Sequence, residues 1–158
     1  MNVAPKRSLT KILIGIFLSG LSVGLLATPY MGIATTAYLF ICAAIYYRRQ
    51  THYHVPLVLT GILIDLTLVL TLEIQRHAVE TVIEGKLEPL QKAHILFSTL
   101  ALILYFPTIY CGTKLYRNRG SSLLKRAHRI LGHTAFIFRT IGFVLMFTLL
   151  AKIKSDLH

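Results

Sequence analysis

Residues 125–147 read KRAHRILGHTAFIFRTIGFVLMF. The segment opens on three cations, places histidines at 128 and 133, and then runs apolar except for Arg139. An apolar run of roughly 20 residues is what a helix needs to cross a hydrocarbon core. The stretch therefore predicts a transmembrane helix over about 130–151. Two features of it need a reason: a charge inside the span and imidazoles at its start.

Working back toward the N-terminus, four more apolar segments of similar length occur at about 12–28, 30–47, 55–75 and 94–113. They are separated by the tight ATPYMG turn, by YYRRQTHYH, by RHAVETVIEGKLEPLQK and by KLYRNRGSSLLKRAHR. None of these connections is long enough for a soluble domain, and no internal repeat is present. The expected fold is an all-α integral membrane helical bundle, a single domain over 1–158 with five transmembrane helices. Helices three to five form its histidine-bearing core. Composition agrees: hydrophobic residues make up 54% of the chain against only six acidic ones, a balance outside the usual range of soluble domains.

The first segment resembles a secretory signal in its length and in the small residues at Ala27 and Thr28. Pro29 lies close behind and hinders cleavage, which favours an uncleaved helix. Gly20 and Gly24 within it form a GxxxG pattern that lets a neighbouring helix approach closely. Cys42 and Cys111 lie inside apolar stretches without CxxC spacing and read as packing residues.

The formal net charge of +11 does not point to nucleic acid. Its cations gather at the ends of apolar segments rather than along one face interleaved with aromatics. With five spans, Lys6, Arg7, Lys11, Arg48, Arg49, Lys114, Arg117, Arg119, Lys125, Arg126 and Arg129 fall on one side of the membrane. That side is expected to be cytoplasmic and to hold the N-terminus. The opposite loop, 77–92, sets Glu80, Glu84 and Glu88 against Lys86 and Lys92.

Asp65 stands about eleven residues into the third helix and Arg139 about ten into the fifth, counted from the same side, so at roughly 1.5 Å per residue they reach a similar depth. A lone charge at mid-membrane costs on the order of 2.5–3.5 kcal/mol on an insertion scale, which favours a structural ion pair between the two. The alternatives are that Arg139 holds an anionic group such as a haem propionate or a quinone oxygen, or that Asp65 moves protons.

Six of the seven histidines fall near helix ends. His52, His54, His128 and His133 lie toward the cytoplasmic side, and His77 and His94 toward the other. A bis-histidine haem needs two neutral imidazoles from facing helices at one depth. His52 or His54 opposite His128 or His133 meets that requirement, as does His77 opposite His94. The plainer reading makes each a polar anchor at the interface. Glu73, His77, Glu80 and Glu84 recur at spacings of three and four, and with His94 they form a candidate metal set or a solvated helix end beside Arg76. No hydrolytic triad, phosphate-binding glycine loop or HExxH is present, so no catalytic residues are assigned and an enzyme is not favoured.

Three pieces between about 48 and 150 carry a family resemblance: QTHYH opening a helix, KAHILFSTLALILYFPTIYCGTKLYR, and KRAHRILGHTAFIFRTIGF. In these the chain resembles small bacterial membrane proteins of the uncharacterised-domain family that includes the CtaM-type factors for haem-copper cytochrome oxidase assembly. His52, His94 and the His128–Arg129–Ile–Leu–Gly132 motif carry the likeness. The resemblance implies a multi-pass protein of the bacterial inner membrane that helps a respiratory oxidase or its assembly factors mature, with haem as the cofactor. A b-type cytochrome that transfers electrons between a quinone and another carrier is the first alternative. An accessory subunit that only packs against a larger complex is the second.

Under the ion-pair reading, Asp65→Asn sharply lowers accumulation of the protein in the membrane fraction, measured by immunoblot. Normal accumulation with lost activity would favour a functional role for Asp65.

Overall fold

The computed structural model describes residues 6–76, 88–117 and 121–156. Among the described residues all regular structure is helical, with no strand. The five helices are α1 (Lys6–Leu26), α2 (Pro29–Tyr46), α3 (Thr51–Arg76), α4 (Pro89–Tyr116) and α5 (Ser122–Asp156). Each is long and apolar enough to cross a membrane, and the chain is a multi-pass membrane protein.

The starts of the helices follow from short-range chemistry. Thr28 precedes α2 in an extended conformation (φ −143°), and its hydroxyl accepts from the Met31 N–H at 3.2 Å. Pro29 then fills the first helical position, where its missing N–H is no loss. The proline expected to block cleavage is thus the residue that opens α2. At α4, Pro89 has the same role, and the Gln91 side chain accepts from the Glu88 N–H at 3.1 Å. Ser121 receives the Leu124 N–H at the start of α5.

Helices α4 and α5 run beyond their expected apolar segments at both ends. The physical reason is that hydrophobicity bounds the span and hydrogen bonding bounds the helix. Once the ladder is formed, polar residues extend it into the headgroup layer. Inside the spans, Thr35, Thr36, Thr71, Thr108 and Thr140 donate their hydroxyls back to a carbonyl one turn earlier, so they need nothing from lipid.

The chain forms two compact units, Met1–Leu72 and Glu73–His158. In the first, α1 and α2 pack through glycine. A Cβ on Gly32 would lie 2.6 Å from the Gly20 carbonyl oxygen and 2.7 Å from Gly24 Cα. A Cβ on Gly20 would overlap the Thr36 hydroxyl. The GxxxG of α1 therefore finds its partner in α2, with Gly32 as the tightest point. Helix α3 approaches α2 at Gly61, where a Cβ would meet Ile41 and the Ala37 carbonyl at 2.9 and 3.0 Å. Ile16, Phe40, Ala43, Ala44, Tyr47 and Leu57 make the buried cluster beside these contacts.

In the second unit, α4 and α5 pack as an antiparallel pair. Ala101 and Ala135 are buried, and Phe97 packs on Phe138 with ring centroids 5.8 Å apart. Small side chains in the middle of the pair let the two backbones come close.

Gly32→Ala should destabilise the protein by about 1–3 kcal/mol through overpacking. Gly24→Ala, whose Cβ would sit at an ordinary 3.6 Å from its neighbour, should cost far less. Thermal unfolding of the two variants in detergent checks the order.

Candidate functional site

Three of the candidate histidines are used in the same way. His94 on α4 places Nδ1 2.8 Å from the Gly142 carbonyl oxygen of α5. His128 on α5 places Nδ1 3.1 Å from the Thr108 carbonyl oxygen of α4. In the first unit, His54 on α3 places Nδ1 2.8 Å from the Ala44 carbonyl oxygen of α2. A carbonyl oxygen only accepts, so in each case Nδ1 carries the hydrogen and donates it. In the neutral ring this leaves the lone pair on Nε2.

Local packing makes these contacts possible. A Cβ on Gly112 would stand 3.1 Å from Cε1 of His128, so glycine at 112 clears the space for that ring. A Cβ on Gly142 would stand 2.6 Å from the Ser98 hydroxyl, one helical turn from His94. The Ser98 hydroxyl oxygen is itself buried and makes no hydrogen bond among the described residues.

Along α4, His94, Ser98, Ala101, Tyr105, Thr108 and Gly112 recur at alternating steps of four and three. His128, Gly132, Ala135, Arg139 and Gly142 do the same along α5. This is the 3.5-residue seam of a packed helix pair. Ser98, Gly112 and Gly142 are the contact positions that residue-type reasoning passes over, and this spacing is the signal that marks them.

The other candidates sit elsewhere. His133 is exposed and turns its Nδ1 back to the Arg129 carbonyl of its own helix at 2.7 Å. His52 is exposed and lies against Tyr53, ring centroids 3.9 Å apart. His52 and His54 belong to the first unit, and His94, His128 and His133 to the second. The proposed partner of His94, His77, lies outside the described residues, as do Glu80, Glu84 and the side chain of Glu73. Among the described residues no group of three or more His, Cys, Asp or Glu side chains is placed to hold a metal ion.

Asp65 and Arg139 are 3% and 5% exposed, so both charges anticipated to lie within the spans are buried. Asp65 follows Gly61 by one turn on the α3 face that meets α2. Arg139 precedes Gly142 by one turn on the α5 seam.

The α4–α5 pair also tests how haem fits. Thr108, whose carbonyl His128 reaches, lies fourteen residues beyond His94, about 21 Å of helix rise. His94 and His128 are therefore too far apart to ligate one iron between them. Each ring donates its Nδ1–H to a carbonyl, as a ligating histidine characteristically does. No protein-family model, curated protein or solved structure matches the chain.

The hydrogen bond of His128 to Thr108 should contribute about 0.6 kcal/mol, with about 1.7 as the upper end for hydrogen bonds between helices in membranes, and His128→Ala should cost at least that much. Gly112→Ala should destabilise the wild-type chain by pushing the His128 ring off Thr108 and be nearly neutral when residue 128 is already alanine. A double-mutant cycle by thermal unfolding measures this coupling.

Proposed function

We propose that this chain is a haem-handling protein of a bacterial cytoplasmic membrane, with its N-terminus inside, that assists assembly of a respiratory haem-copper oxidase. One observation carries the haem reading: the carbonyl bonds of His54, His94 and His128 set each ring in the tautomer that presents Nε2 as a ligand nitrogen. The oxidase part rests on the likeness of the 48–150 stretch to CtaM-type factors. The orientation is supported by the cations of the α2–α3 and α4–α5 connections.

In this reading His94 or His128 would hold the iron, and Arg139 would offer its guanidinium to a propionate. Bound haem supplies one-electron chemistry, or is itself the cargo passed to the oxidase. The chain's own part is to fix the imidazoles, shield the site with α4 and α5 and keep a cation at depth. The second reading, an accessory subunit, is favoured by the fact that each of the three rings already ties two helices together.

The test is an optical spectrum of the purified protein, oxidised and dithionite-reduced, with haem measured per chain. Sharp reduced bands that His94→Ala or His128→Ala abolishes, with helix content unchanged by circular dichroism, are the expected result. Near-stoichiometric, stably held haem would favour the b-type cytochrome, and substoichiometric, exchangeable haem the assembly role. A colourless protein from haem-replete cells would leave the accessory subunit as the better reading.

A further inference from the structure

The cations that flank the α4–α5 connection meet no acidic residue anywhere between 89 and 155. Lys114, Arg117, Lys125, Arg126 and Arg129 are all exposed, and residues 89–155 contain no aspartate or glutamate. Arg126 and Arg129 are three apart and Lys125 and Arg129 four apart, spacings at which like charges on a helix repel. Lys125 also closes the first turn of α5, where the helix dipole disfavours a cation. Lys114 rests over the Tyr110 ring at 4.6 Å. The cations at the start of α5 therefore favour an anion supplied from outside the helix pair.

The position of the patch says which anion. Residues 93–113 of α4 and 130–151 of α5, with Arg139 their one charge, span about 31 and 33 Å, the thickness of a hydrocarbon core. Helix α5 starts at Ser122, so its first eight residues extend about 12 Å past that core, through the headgroup layer. Exposed apolar and aromatic side chains stand among the cations there: Leu123 is 74% exposed, Tyr116 65% and Ile130 55%. Such a mixture suits the boundary between headgroups and acyl chains, whereas a purely aqueous partner would leave Leu123 and Ile130 in water.

We infer that the N-terminal end of α5 is a binding site for anionic phospholipid headgroups, with Lys125, Arg126 and Arg129 holding the phosphodiester and Leu123 and Ile130 lying against the acyl chains. The phosphate supplies the countercharge that α5 lacks at its N-terminus. The inference does not depend on the haem reading.

The test uses the full-length protein in detergent, equilibrated with an equimolar mixture of phosphatidylglycerol and phosphatidylcholine, washed, and analysed for retained lipid by mass spectrometry. Wild type should retain phosphatidylglycerol preferentially, and the preference should weaken as salt is raised. The variant Lys125→Gln/Arg126→Gln/Arg129→Gln should lose it by roughly tenfold or more, given the contribution of each cation near an anionic surface. The charge-conserving Arg126→Lys/Arg129→Lys and the opposite-end Lys92→Gln should keep it. Equal retention of both lipids by wild type would overturn the inference. So would an unchanged preference in the triple glutamine variant, or an equal loss in Lys92→Gln, which would trace the effect to net charge.

Discussion

In hydrocarbon, a helix surface offers a neighbouring polar side chain little except the second lone pair of its own carbonyls, and this protein builds its helix contacts on that resource. His54, His94 and His128 each reach across to a main-chain oxygen of the adjacent helix. The carbonyl keeps its place in the helical ladder while accepting a second hydrogen, so no backbone bond is given up. Such bonds are individually modest in membranes, because the separated helices also find partners. Their value here is geometric.

Close approach is the condition for them. An imidazole spans the gap only where the opposite surface is stripped to glycine or another small residue, as at Gly112 beneath His128 and at the Ser98–Gly142 contact beside His94. The same device without histidine joins α1 to α2 through Gly20, Gly24 and Gly32. Lipid does not drive apolar helix surfaces together as water would, so packing and polar contacts carry the association.

The sequence makes the five spans legible because apolar run length and flanking charge are properties of single residues counted along the chain. It also makes the burial of Asp65 and Arg139 legible, since depth follows from position at 1.5 Å per residue. Which surfaces meet is harder to read. A GxxxG says that a helix can be approached and not by which neighbour, and Gly32 carries no signature until α2 is seen against it. The acceptors of the three histidines are carbonyls, present at every residue and invisible in side-chain chemistry. The histidines therefore stand out as candidates while their contacts do not. The seam of α4 and α5 is intermediate: its four-three spacing is written in the chain, but its α4 members are a histidine, a serine, an alanine, a tyrosine, a threonine and a glycine, which no hydrophobic pattern selects.

The pair of contacts in α4–α5 fixes more than either does alone. One ring belongs to each helix, and the two bonds are separated by about 21 Å along the axis. A single bond would leave the helices free to rotate or splay about it. Two at that separation fix register and rotation together, because advancing one helix by a residue turns its face by about 100° and carries a ring away from its carbonyl. The alanines buried between them, Ala101 and Ala135, then close the gap without needing to specify it. Arg139 lies within this stretch, between Ala135 and Gly142 on the seam. The contacts at the two ends thus hold α5 in the rotational setting that keeps its one interior charge buried, which ties the histidines near the helix starts to the arginine within the span.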